Sequence, residues 1–236
     1  MNHKHSAKST AIAIGILYLL ATVTYMTGAF VLIEPAISGS DYLNTLFARN
    51  KSALRMGVML QFVNDVAIVG IGVLMLRILR RYNENIAVAV LVARILEATI
   101  LIVGGIGLLM LVPLSNEFIK SGGMAGSYFD TMGLVVKRWY AASFNTAMLC
   151  LGIGGFFLSY LLYKYKLVPR AISLLGLVGY PILFVNILLD IFAFPNGGPF
   201  LFLPVGLFEL VFPIWLFVKG FPLHALSPAS AEIEKP

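Results

Sequence analysis

"IAVAVLVARILEATILIVGGIGLLMLV", residues 86–112, is apolar from end to end except for Arg94 and Glu97. A helix rises about 1.5 Å per residue, so this run crosses a hydrocarbon core of about 30 Å with residues to spare. Five runs of the same kind accompany it, and the expected spans lie near 10–33, 55–79, 86–112, 138–163, 170–194 and 199–219. The expected fold is therefore all-α: a polytopic membrane helical bundle of six transmembrane helices. It forms a single transmembrane domain over 10–220 between polar termini at 1–9 and 221–236.

Composition agrees. The chain has 236 residues, of which 59% are hydrophobic and 12% charged, with a mean hydropathy of +0.91. A soluble domain of this size would lack the polar residues to cover its surface, whereas lipid solvates an apolar exterior. The bilayer is thus the first expected partner. The net charge of +6 does not point to nucleic acid, because the basic residues stand at span ends rather than on one soluble face.

Orientation follows from those basic residues. With the N-terminus inside, the cytoplasmic side holds Lys4, Lys8, Arg77, Arg80, Arg81, Lys164, Lys166, Arg170, Lys219 and Lys235. The opposite side holds Arg49, Lys51, Arg55, Lys120, Lys137 and Arg138. Ten against six places both termini in the cytoplasm. Aromatic residues in "RWY" (138–140), "SYLLYKYK" (159–166) and Trp215 read as interfacial anchors. The basic "NHKHSAKS" (2–9) resembles the start of a signal peptide. The apolar stretch behind it runs from Ala11 to Ile33, however, and reads as a retained first helix.

The connections carry less pattern. In "SDYLNTLFARNK" (40–51), Ser40 or Asp41 is positioned to cap a short helix with an apolar stripe of Leu43, Leu46 and Phe47, expected to lie on the membrane. "NEFIKSGGMAGSYFDTMG" (116–133) is glycine-rich and reads as a flexible loop, and "SPASAEIEKP" (227–236) as a polar tail. "FVN" occurs at 62–64 and again at 184–186, a faint echo of an inverted repeat with three helices per half.

Chemistry, if present, belongs to the ionisable residues inside the spans. These are Asp65, Arg94, Glu97, Asp190 and Glu209, joined by Gln61, Asn64, Asn145 and Asn186. Asp65 lies ten residues in from Arg55, which is about 15 Å of rise, and Glu97 is about as deep from Ile86. Gln61, Asn64 and Asp65 share one helical face, as do Arg94 with Glu97 and Asn186 with Asp190. A charge facing lipid costs roughly 2.5–3.5 kcal/mol on insertion scales, so these faces should turn inward. Arg94 stays charged and needs a carboxylate; Glu97 is nearest in sequence, with Asp65 or Glu209 as a second. Pro213 removes the backbone donor that would meet the Glu209 carbonyl, and Pro181 does the same for Leu177. Tyr18, Thr22 and Tyr25 form a stripe on the first helix that reads as packing.

Other signatures are missing from the sequence. There is no P-loop, Rossmann glycine pattern, H-E-x-x-H or G-x-S-x-G. His3, His5 and His224 stand near the ends, so no intramembrane histidine set holds a zinc, and no metal or other cofactor is expected. The single cysteine, Cys150, reads as a packing residue.

The stretches "AIAIGILYLL" (11–20), "LRMGVMLQFVNDVAIV" (54–69), "VARILEATILIVGG" (92–105), "LVPRAISLLGLVGY" (167–180) and "LPVGLFELVFPIWLFVKGF" (203–221) resemble a family of bacterial six-helix membrane proteins catalogued as domain of unknown function 4386. Asp65, Arg94, Glu97 and Glu209 fall on what look like its characteristic polar positions. The resemblance implies a multi-pass protein of the bacterial cell membrane and implies no activity.

Three functions compete. The first is binding or transport of a small ligand or proton through Asp65, Arg94, Glu97 and Glu209. In the second, a structural or regulatory protein uses the charges only to fix helix packing. The third is an intramembrane enzyme acting on lipid-like substrates through paired carboxylates, which needs two acids facing one open cavity; the sequence identifies no catalytic residue and leans against an enzyme.

Overall fold

A computed structural model describes residues 2–123, 128–195 and 198–221; the polar tail 227–236, His224 and Lys235 lie outside them. Among the described residues there is no strand, and six helices are long and apolar enough to cross a membrane. They are α1 (Lys8–Ile37), α2 (Tyr42–Leu79), α3 (Glu84–Lys120), α4 (Tyr128–Lys164), α5 (Arg170–Ile191) and α6 (Phe200–Val218). This is the all-α architecture of a multi-pass membrane protein.

The distribution of side chains gives the reason. Along α3 the buried positions Ala87, Val90, Arg94 and Glu97 recur at helical spacing, while Val88, Val92, Ile95 and Leu96 face outward. Charge inside and valine outside inverts the soluble pattern. Only a surface solvated by lipid tolerates it, since every large apolar side chain left outside would otherwise be in water.

Three helices exceed the bilayer. α2, α3 and α4 have 38, 37 and 37 residues, each about 55 Å long against a core of about 30 Å. Residues 42–50, expected as a separate interfacial helix, run into α2 through a π-helical turn, Leu46–Asn50. Asp41 stands at the start without a side-chain cap to the backbone; its carboxylate accepts a hydrogen bond from Asn44 at 2.6 Å. The expected flexible loop 116–133 is helical to Lys120 and again from Tyr128. Leu111, Val112, Ser115 and Phe118 share a buried face there, and that helical spacing outweighs the glycines that follow. "RWY" accordingly lies inside α4 rather than opening it.

Described residues fall into two compact units, which do not follow the two halves of the chain. The first takes in the chain up to Leu20, Ala67–Glu97 and the chain from Ala147 onward; the second is Ala21–Val66 with Ala98–Thr146. Within the second, Ile33, Tyr42, Leu46, Leu54, Leu111 and Phe118 belong to one buried apolar cluster. Polar fasteners surround it: Lys51 donates to Asn116 Oδ1, and Lys137 donates to the Ile37 carbonyl at 3.3 Å while lying 3.9 Å from the Tyr42 ring centroid. Here α1 and α2 touch backbone to backbone, because a Cβ on Gly28 would stand 2.7 Å from the Gly57 carbonyl oxygen.

In the first unit α5 packs along α6. Ends of α4 and α5 are closed by paired bonds: Leu167 N–H to Leu162 O at 3.0 Å with Lys166 N–H to Tyr163 O at 3.3 Å, and Phe194 N–H to Leu189 O at 2.9 Å with Ala193 N–H to Asp190 O at 3.1 Å. Such a motif needs one left-handed residue, usually glycine. Lys166 (φ 52°) and Ala193 (φ 55°) fill that position instead.

The expected outcomes are opposite in sign. Ala193→Gly raises unfolding stability by about 1 kcal/mol by relieving left-handed strain, and Gly28→Ala lowers it by about 1–3 kcal/mol by forcing two backbones apart. Unfolding of the purified protein in detergent, followed by circular dichroism, measures both.

Candidate functional site

The intramembrane polar residues form two groups, one in each unit. In the first unit, one turn of α3 sets Arg94 Nη1 3.0 Å from Glu97 Oε2, with both side chains under 5% exposed. The second guanidinium nitrogen lies 3.8 Å from Glu209 Oε1 on α6 and donates to the Tyr18 hydroxyl of α1 at 3.3 Å. Tyr180 of α5 donates to the same Glu209 oxygen at 3.4 Å. Four helices thus meet at one charged cluster. If both carboxylates are ionised it carries one net negative charge.

An aromatic wall closes around it. Tyr18 meets Phe212 edge-on with ring centroids 5.6 Å apart, Phe212 stacks on Phe208 at 5.2 Å, and Phe208 meets Tyr180 edge-on at 5.5 Å. Small residues make the room: a Cβ on Gly72 would stand 3.2 Å from the Arg94 Cβ, and one on Gly155 would overlap the Tyr180 ring. Glu209 is the outlying member, with its side chain 27% exposed. Pro213 sits inside the unbroken α6, one turn beyond it.

The second unit holds Gln61, Asn64 and Asp65, all buried on one face of α2. Asn64 Nδ2 donates to Asp65 Oδ1 at 3.0 Å, and Gln61 donates to the Tyr140 hydroxyl of α4. Gln61 and Asp65 line a groove of about 310 Å³ between α2 and α3. Its remaining walls are apolar, and Met59, Phe62 and Ile106 at its edges are exposed. Among the described residues no Lys, Arg or His forms an ion pair with Asp65.

The candidates therefore divide. Arg94, Glu97 and Glu209 come together, and Asp65 belongs to the other unit with its own polar neighbours. Asn186 is buried and donates to the Gly198 carbonyl at 3.4 Å, fixing the segment that leads into α6. Asp190, expected on the same inward face as Asn186, is exposed near the end of α5, because it falls in the last turn where the helix leaves its packing. Asn145 is half-buried on α4. Tyr18, read from sequence as packing, touches Arg94. Tyr140 reads in the sequence only as an interfacial anchor, and nothing there marks Tyr180; a tyrosine beside "PIL" or after "RW" gives no signal of a polar partner until that partner is known. Among the described residues no three His, Cys, Asp or Glu side chains stand together as a metal site requires.

No match was found among curated proteins or among solved structures. A family model does match over residues 13–220, under the description Domain of unknown function (DUF4386). With nearly the whole membrane-spanning region covered, the chain belongs to the family of that domain of unknown function.

Proposed function

We propose that this protein sits in the bacterial cell membrane with both ends of its bundle toward the cytoplasm. There it binds a small amphipathic ligand in the groove between α2 and α3, with Asp65 and Gln61 as the polar contacts. The observation that carries this reading is a groove of about 310 Å³ with apolar walls and a buried carboxyl that no cation pairs with. Ligand sites have this make-up, mostly apolar with one or two fixed polar groups. An ionisable residue inside a span is itself a site signal, and among the described residues Asp65 has only the neutral Asn64 amide as its hydrogen-bond partner. Exposed Met59, Phe62 and Ile106 at the rim suit a ligand that arrives from the lipid, its chain along α2 and α3 and its amine at Asp65.

Paired-carboxylate catalysis has less support, because Asp65 is the only carboxyl in that groove's described lining. The Arg94 cluster fits a structural role. Its arginine and Glu97 are sealed by the bundle, each with its counter-charge at 3.0 Å, as a device that fixes helix register would be.

Two measurements test the division. A long-chain diamine dansylated at one end only, so that the other end keeps its free amine, should bind the wild-type protein in phosphatidylcholine nanodiscs, and Asp65→Asn should weaken it about tenfold, equivalent to about 1.4 kcal/mol. Equal fluorescence titrations for the two proteins would remove the site. For the cluster, Arg94→Met strands Glu97 and should cost about 3–5 kcal/mol of unfolding stability, while the double change Arg94→Met with Glu97→Leu costs less than Arg94→Met alone. Binding of the same mono-dansylated diamine by the folded double variant should stay at the wild-type level; a loss there would return Arg94 and Glu97 to the binding site.

A further inference from the structure

Where α4 turns into α5 and α6 ends, Lys166, Arg170, Lys219 and Trp215 line a concavity of about 620 Å³ together with residues 167–169. The three cations are exposed, no acid lines the concavity, and among the described residues none of the three forms an ion pair. Three like charges around one hollow repel one another until an anion enters it. The backbone adds to this. Ile172 N–H is the first along α5 to meet a carbonyl, that of Pro169 at 3.0 Å, so the N–H groups of Arg170 and Ala171 precede the helix's own bonds. A 22-residue helix presents the positive end of its dipole there.

The turn is held in shape. Lys166 occupies the left-handed position at the end of α4, where glycine would be less strained, and it is one of the residues lining the hollow. Tyr165 donates to the Tyr82 carbonyl at 3.3 Å, and their rings lie 4.6 Å apart, pinning the turn to the one between α2 and α3. Burial pushes the Tyr82 hydroxyl up to about 12, so this neighbour adds no negative charge.

From this geometry we infer that the concavity binds a phosphate-bearing anion, met in a bilayer as the headgroup of an anionic phospholipid. Lys166, Arg170 and Lys219 would neutralise the phosphate, the first turn of α5 would donate to its oxygens, and Trp215 would lie against the upper acyl chain. Basic hollows between helix ends at a membrane surface recognise such headgroups. Dissolved phosphate offers the same chemistry, and the test separates the two.

The chain has two tryptophans, so in a Trp139→Phe background the emission reports Trp215 alone. The protein is placed in nanodiscs containing phosphatidylglycerol or phosphatidylcholine with identically brominated chains, which quench an adjacent indole. Quenching by the brominated phosphatidylglycerol should need a several-fold lower mole fraction than quenching by the choline lipid. Arg170→Gln with Lys219→Gln should abolish that preference, and Arg80→Gln, in the α2–α3 turn, should keep it. Lys166→Gly should weaken the preference while leaving the thermal midpoint equal or higher, which excludes misfolding as the cause. Reversal of quenching by millimolar inorganic phosphate would mean that dissolved phosphate shares the site; no reversal would leave the lipid as its source. Equal quenching by the two wild-type lipids, a preference that survives loss of all three cations, or an equal loss in Arg80→Gln would overturn the proposal.

Discussion

An arginine that remains charged inside a lipid-solvated bundle has to find its counter-charges within the bundle. Arg94 finds them in Glu97 from its own helix and Glu209 from α6, and it also donates a hydrogen bond to the Tyr18 hydroxyl of α1. Meeting that requirement orders much of the first unit. It fixes which face of α3 turns inward, brings α6 close enough for Glu209, and sets the arginine stem against Gly72, where an added Cβ would stand 3.2 Å from the Arg94 Cβ. The rings of Tyr18, Phe212, Phe208 and Tyr180 then close the space around the charges, keeping water away from an interaction that strengthens as water leaves.

The second unit meets a different constraint. Its helices outrun the bilayer core, and the parts beyond it have to bury an apolar face without lipid to help. The cluster around Tyr42, Leu46, Leu111 and Phe118 supplies that burial, and the close crossing at Gly28 and Gly57 anchors it. A buried carboxyl without a cation, Asp65, sits in this unit. Two polar groups under two different constraints are hard to read as one functional centre.

The sequence carried much of this plainly. Long apolar runs gave six helices, and the i, i+3 spacing of Arg94 and Glu97 made their contact legible before any fold was known. What it did not carry were distances across helices. Tyr18 was read as packing and Tyr180 was passed over, because a hydroxyl's role depends on a partner far along the chain. The extensions at 42–50 and 111–120 were obscured for a local reason: Gly122 and Gly123 suggest a loop, yet here they only end the helix whose buried stripe precedes them. Asp65 and Glu209 stand in the sequence as alternative second partners for Arg94, and position along a helix does not say which neighbours a face meets.

The separation of the two groups bears on how the molecule can work. A site that used all four charged residues would need the arginine to exchange partners as a ligand bound, breaking a buried 3.0 Å pair each time. Removing one member of such a pair costs about 3–5 kcal/mol, which a ligand that broke it would have to supply out of its own binding free energy. The proposed groove, whose acid has no cationic partner among the described residues, avoids that cost: under this reading Asp65 meets the ligand while Arg94 keeps its own partners.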